Sequence, residues 1–411
     1  MRHYLKLLVV LFLGISTQGT AQSLEGYLKE AAENNPLLKA KYAEFQAAVQ
    51  KVAQVNSLPN PSLSFGYFIS PVETRVGAQR AKIGISQSIP WFGTLKTTGS
   101  VYNLKAEAKY QEFIDARNAL FMKVKSAWYP LFEVNREILL QKENREILGS
   151  YKQLATTGFK VGKNSMADVV RVDIMIENTD TEIKLLEDKI KPLTIYFNKL
   201  LNQEDTYAIS IADSIELVDI PLNYRRDSLL INNPMLQSLD LKYKSAQTSE
   251  ALAKKEGLPS IGIGLDYVFV DKRTDMDIVD NGKNAIMPMI SVTLPIYRKK
   301  YKAAEREAQL NQDAISFYRD DLENTLISNY EMTWYELERA KEQLLLYTKQ
   351  IEKTLVVIQL LEKEYSTSGE DFVEILRMQQ ELINYQIAAA KSIKNYFIAL
   401  AKLDYLTAKS E

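Results

Sequence analysis

Two stretches, FKVGKNSMADVVRVD (159–173) and YSTSGEDFVEILRMQ (365–379), each place a carboxylate three residues before an arginine: Asp168 with Arg171, and Glu374 with Arg377. Each arginine falls one helical turn after its acid. Two chemistries suit such groups. They could hold cations, or they could complete capping boxes, Ser165 with Asp168 and Asp371 with Glu374, at helix N-termini where the dipole favours negative charge. Met276, Met287 and Met289 form a second cluster, of the soft type that ligates Cu(I) or Ag(I), although methionine is more often apolar filling. The chain has no cysteine, and its one histidine, His3, lies among the first residues. Histidine-dependent triads, imidazole bases and thiolate or imidazole metal sites are thereby excluded from the rest. Carboxylate-only or lysine-based catalysis is what remains. No enzyme, cofactor or metal centre is expected.

The acid–arginine pairs sit just after glycines. Gly162 and Gly369 end long incoming helices, and the pairs open the returning ones. The incoming segments run from Leu95 to about Ala155 and from Tyr297 to Tyr365, with coiled-coil spacing of apolar residues in the second. About 70 helical residues would extend roughly 100 Å. Ahead of each long helix lies a pair of alternating runs. In 62–70 and 81–90, Leu63, Phe65, Tyr67, Ile69, Ile83 and Ile85 oppose Ser62, Ser64, Gly66, Lys82, Gly84, Ser86 and Ser88. In 259–270 and 286–295, Ile261, Ile263, Leu265, Tyr267, Ile290, Val292 and Leu294 oppose small or polar residues and two methionines. Period two predicts strands with one apolar face.

The plan is duplicated. Asn34-Asn35-Pro36 recurs as Asn232-Asn233-Pro234, and Pro61-Ser62 as Pro259-Ser260, both 198 residues on. Pro90 and Pro295 are 205 apart, so the second hairpin has the longer loop. Such an ordered recurrence marks two copies of one unit. The expected organisation is a signal peptide at 1–21, a first repeat at 22–201 (hairpin 62–90, helix hairpin 95–201), a linker at 202–225 with one small strand, and a second repeat at 226–408 (hairpin 260–295, helix hairpin 296–408). Arg2 and Lys6 before LLVVLFLGI, then Gly19-Thr20-Ala21, read as an export signal. No later run is long and apolar enough for a transmembrane helix. Lys and Arg number 51 against 52 Asp and Glu, which gives no sign of a nucleic-acid surface.

Strands of about 9–11 residues with one apolar face match the wall of a membrane β-barrel. A sheet in lipid must close, because unpaired edges leave backbone groups without partners. Four strands are too few when known barrels begin at about eight. Several chains must then share one barrel. The rival reading is a soluble exported coiled-coil scaffold of the cell envelope, with both hairpins half-buried in a compact body.

The duplicated Asn-Asn-Pro, Leu58-Pro59-Asn60-Pro61-Ser62-Leu63, Ile89-Pro90-Trp91-Phe92-Gly93 and the two glycine-bearing turns resemble the TolC family of bacterial outer-membrane factors, over essentially the whole chain after the signal. That resemblance implies a mainly α duct: a homotrimer whose four strands per chain build a 12-stranded β-barrel in the outer membrane, above an α-helical barrel in the periplasm. It implies a periplasmic adaptor and an inner-membrane pump as partners, and passive conduction of efflux substrates. Ile-Pro-Trp-Phe-Gly is most similar to the branch paired with heavy-metal pumps. By the same resemblance Gly162, Ser165, Asp168, Arg171, Gly369, Asp371, Glu374 and Arg377 would lie at the periplasmic gate, with the arginines making salt links across it.

Overall fold

A computed structural model describes residues 24–163, 165–211, 215, 226–368 and 372–409. The export signal, Gly369, Asp371 and most of the linker lie outside the described residues. In the described part of the linker, 202–211 and 215, no strand forms.

The elements follow the duplicated plan. Helices α1 (Leu24–Asn34) and α2 (Pro36–Val55) precede strands β1 (Ser62–Thr74) and β2 (Gly77–Ile89). Helices α3 (Thr94–Lys160) and α4 (Met166–Leu200) then form the first long hairpin. The second copy runs α5 (Arg226–Asn232), α6 (Pro234–Glu256), β3 (Ser260–Val270), β4 (Ala285–Thr293), α7 (Arg298–Ser368) and α8 (Phe372–Leu406). The repeated Asn-Asn-Pro has a local cause. The Asn35 side chain accepts from the N–H groups of Leu37 and Leu38 at 3.0 and 3.2 Å, and Asn233 does the same for Met235 and Leu236 at 3.0 and 3.1 Å. Proline follows at the first helical position, where a missing N–H leaves no bond unmade. Helix α3 continues through Pro130, and α4 through Pro192.

Within the described residues the chain divides into two compact units. One draws on 24–34, 123–211 and 338–398; the other on 35–122, 226–337 and 399–409. The first is packed by helix faces. Trp128 stacks near Phe132, Tyr129 stacks on Phe397 at 5.1 Å between ring centroids, and Tyr27 meets Phe197 edge-on at 5.1 Å. A partly buried ion pair joins Lys394 to Glu133 at 2.9 Å.

The second unit holds the sheet, with helices α3 and α6 touching through small residues. Ser245 Oγ donates to the Val101 carbonyl at 3.0 Å in a buried contact. The four strands are antiparallel in the order β1-β2-β3-β4, so the two hairpins pair with each other through β2 and β3. Both strands of the first hairpin are longer than their alternation predicts, reaching Thr74 and starting at Gly77. A register shift between Tyr67 and Val72 hides the continuation. Pro71 sits inside that shift, where a residue without an N–H does least harm. The turn is therefore the two residues Arg75 and Val76, closed by Gly77 at φ +130°, and not a ten-residue loop. A Cβ on Gly77 would meet the Asp271 carbonyl oxygen at 1.7 Å. Only glycine fits.

Candidate functional site: a two-faced sheet and paired helix tips

The register decides what each face of the sheet carries. Leu63 pairs with Ile85, Ile85 with Leu265, and Leu265 with Pro288; the next row is Phe65, Ile83, Tyr267 and Ile286. Ile263 with Ile290, and Ile261 with Ile89 and Val292, extend the same face. Tyr67 pairs with Ala81, and Ala81 with Phe269, so eleven of the thirteen residues expected to face lipid lie in matched rows. Ile69 falls in the irregular stretch of β1, and Leu294 lies one residue past β4; both are exposed. Leu63 at 77% and Ile290 at 81% exposure would be costly in water, at roughly 25 cal/mol per Å² of apolar area. Gln87 interrupts this face in the row of Ile263 and Ile290, and an exposed apolar patch of this kind marks an interaction surface.

The opposite face carries serines, glycines, Thr293, Met287 and Met289. At its centre is an ion pair that the sequence pattern did not single out: Lys82 Nζ donates to Asp266 Oδ2 at 2.8 Å. Both residues occupy the polar phase of their strands next to glycines, which is the signal that could have found them. Met276 lies in the β3–β4 loop, away from the strand face that holds the other two methionines. Among the described residues there is no group of three or more His, Cys, Asp or Glu able to hold a metal ion. No described helix is long and apolar enough to cross a membrane.

The sheet has two open edges. β1 and β4 each pair on one side only, and every residue of β4 is exposed. At the outer end, the β3–β4 loop folds over the first hairpin. Asp271 N–H donates to the Ala78 carbonyl at 2.8 Å, Gly282 N–H to that of Val76 at 2.7 Å, and Arg80 pairs with Asp271.

In the other unit, α3 ends at Gly162 (φ +75°), with Lys163 N–H closing onto the Gly158 carbonyl at 2.8 Å. Helix α4 opens on a complete capping box. Asp168 N–H donates to Ser165 Oγ at 3.2 Å, and Ser165 N–H donates to Asp168 Oδ2 at 3.1 Å. Ser165→Ala should cost about 1 kcal/mol locally. Hydrogen exchange at the first-turn amides of α4 should quicken about fivefold, while Ser165→Gly should change it far less.

Arg171 reaches Asp168 at 3.4 Å, and Arg377 grips Glu374 through two bonds of 2.5 and 2.9 Å. The Arg377 hydrogen bond holds the Glu374 carboxyl below its usual range. Within the chain each arginine thus pairs along its own helix. Three-residue spacing on one helix face places each acid within reach of its arginine.

Behind these charges one core joins the two helix hairpins. Leu148, Tyr151 and Ala155 of α3, Val169 and Val172 of α4, Tyr365 of α7, and Phe372, Ile375 and Leu376 of α8 bury one another. Tyr151 OH donates to Glu362 at 2.9 Å, and burial raises the Tyr151 pKa. Gln379 Nε2 donates to Asn144 Oδ1 at 2.9 Å in a buried cross-hairpin bond.

Residues 27–192 match the family described as outer membrane efflux protein. No curated protein sequence matches the chain. Solved structures do. The outer-membrane channel OprN matches with a TM-score of 0.77 at 15% identity, covering 94% of this chain and 90% of that one. CusC, described in connection with folding and transmembrane channel formation, gives 0.77 at 13%, with 94% and 92% covered. The open state of the MtrE outer membrane channel of Neisseria gonorrhoeae gives 0.74 at 14%, with 94% and 89% covered. The fold is the one these channel structures share, long helix hairpins with a four-stranded antiparallel sheet.

Proposed function

With an outer membrane efflux protein domain over residues 27–192, and the outer membrane as its location, we propose that the protein is the exit duct of a tripartite efflux system. It conducts substrate passively from a pump and adaptor across the periplasm and outer membrane. The observation that carries this reading is the sheet: one face apolar apart from Gln87, one small and polar face, and two unpaired edges on four strands. Edges in lipid must be paired, and the β4 edge of one copy meets the β1 edge of the next. Three copies give twelve strands, within the range of closed membrane barrels. The eight residues assigned to the gate and the thirteen assigned to lipid keep those roles in this proposal.

Work in such a duct is positional. No group needs to change protonation or form a bond, and selection of cargo falls to the pump. Heavy-metal cargo is not required by any side chain here, since Met287 and Met289 are apolar lining spaced two residues apart. Detergent extraction tests the proposal. The protein should require detergent, run as a trimer by light scattering, and conduct ions in a planar bilayer. A monomer recovered from the soluble periplasmic fraction would support the coiled-coil scaffold instead.

A further inference from the structure

Glu73 and Arg80 lie beyond the register shifts, and in the rows of the small-residue face that run from 62–66 of β1 to Thr293 of β4 the strands carry one acid and one base. They are arranged unequally. Asp266 is 1% exposed, whereas the Lys82 side chain is 40% exposed. Two glycines make this possible. A Cβ on Gly84, which pairs with Asp266, would sit 2.2 Å from Asp266 Oδ1, and one on Gly66, which pairs with Lys82, would sit 3.3 Å from Lys82 Cγ. The carboxylate therefore lies across the backbone of β2, beside Ser64, and the lysine stem lies across β1 with its ammonium on Asp266 Oδ2 at 2.8 Å and much of the side chain open to solvent. The charges nearest to this pair along the strands, Arg80 and Asp271 at the rim, are both about half exposed and present no such bias.

We propose that Lys82, held in place by Asp266, sets the ion preference of the pore: the wall shows water a cation and hides its counter-charge. The inference rests on the duct reading, which turns this face inward and repeats the pair three times around the lumen. Its chemical consequence is that anionic and neutral solutes pass this level more readily than free cations. Loss of either partner exposes the other. Lys82→Gln leaves three uncompensated carboxylates, and Asp266→Asn leaves three uncompensated ammonium groups.

The test is the reversal potential of purified trimers in planar bilayers under a KCl gradient. Near 10 mM salt the screening length is about 30 Å, and near 1 M it is about 3 Å. At low salt the wild type should favour chloride over potassium about twofold. Lys82→Gln should shift the ratio at least threefold toward potassium, and Asp266→Asn at least threefold toward chloride. The double variant, which needs no ion pair to fold, should return near unity, and all differences should shrink at 1 M. Because the chain contains no cysteine, Lys82→Cys and Ile83→Cys add an independent reading. A water-soluble cationic thiol reagent should restore chloride preference to the first and leave the second unchanged. A pore with the same ratio in every variant overturns the inference alone. A protein that forms no pore overturns the duct reading and this inference with it.

Discussion

Leu265→Arg should prevent assembly in the outer membrane, whereas Ser86→Arg should be tolerated. Leu265 lies on the inner strand β3, in a row with Ile85 and Pro288, and is 46% exposed in a single chain. An arginine facing lipid near the bilayer midplane costs about 2–4 kcal/mol. A trimer carries it three times, so the penalty is roughly 6–12 kcal/mol. That is comparable with the whole stability of a typical domain, about 5–15 kcal/mol. Ser86 pairs with Ser62 and Gly264 on the other face, where a charge would meet water in the lumen. The measurement is the heat-sensitive trimer band in the outer-membrane fraction. It should vanish for Leu265→Arg and persist for Ser86→Arg. The reverse pattern would mean that the faces are assigned the wrong way round.

Much of this was legible because the relevant signals are local. The helix starts at Pro36 and Pro234 are written in an asparagine whose side chain caps two residues on, and the stop at Gly162 in a residue that tolerates positive φ. The alternation of 62–67 and 81–89 predicted the faces because side-chain period and backbone pleat are the same thing. What escaped the sequence reading was non-local or phase-broken. The register shift around Pro71 interrupts alternation, so the last residues of β1 read as loop. The β2–β3 pairing joins residues about 180 apart, and with it came the Lys82–Asp266 pair. At the helix tips, residue types were recognised but their partners were not. Arg171 and Arg377 were assigned to links across a gate, and the acids one turn back that each also reaches within its own helix were not noticed.

Ile375→Ala should loosen the helix tips without disturbing the sheet. Ile375 is fully buried among Leu148, Tyr151, Val172 and Phe372, in the cluster that joins the α3–α4 hairpin to the α7–α8 hairpin. Truncating a buried isoleucine typically costs about 2–5 kcal/mol, and the cost rises where the cavity cannot collapse. Collapse is hindered here, because the backbone on either side is committed to helices of 67 and 35 residues. The charges outside cannot compensate, since exposed ion pairs such as Arg377–Glu374 contribute little. Opening at the tips should therefore become at least thirtyfold more frequent, read as faster amide exchange across 148–155 and 169–176. Exchange in β2 and β3 should stay as in the wild type, because those strands belong to the other compact unit. In bilayers the same variant should conduct more, and more erratically, if the tips form the gate. Quickened exchange at the tips with unchanged conductance would place the restriction elsewhere in the duct, and Lys82 would then be the first position to examine.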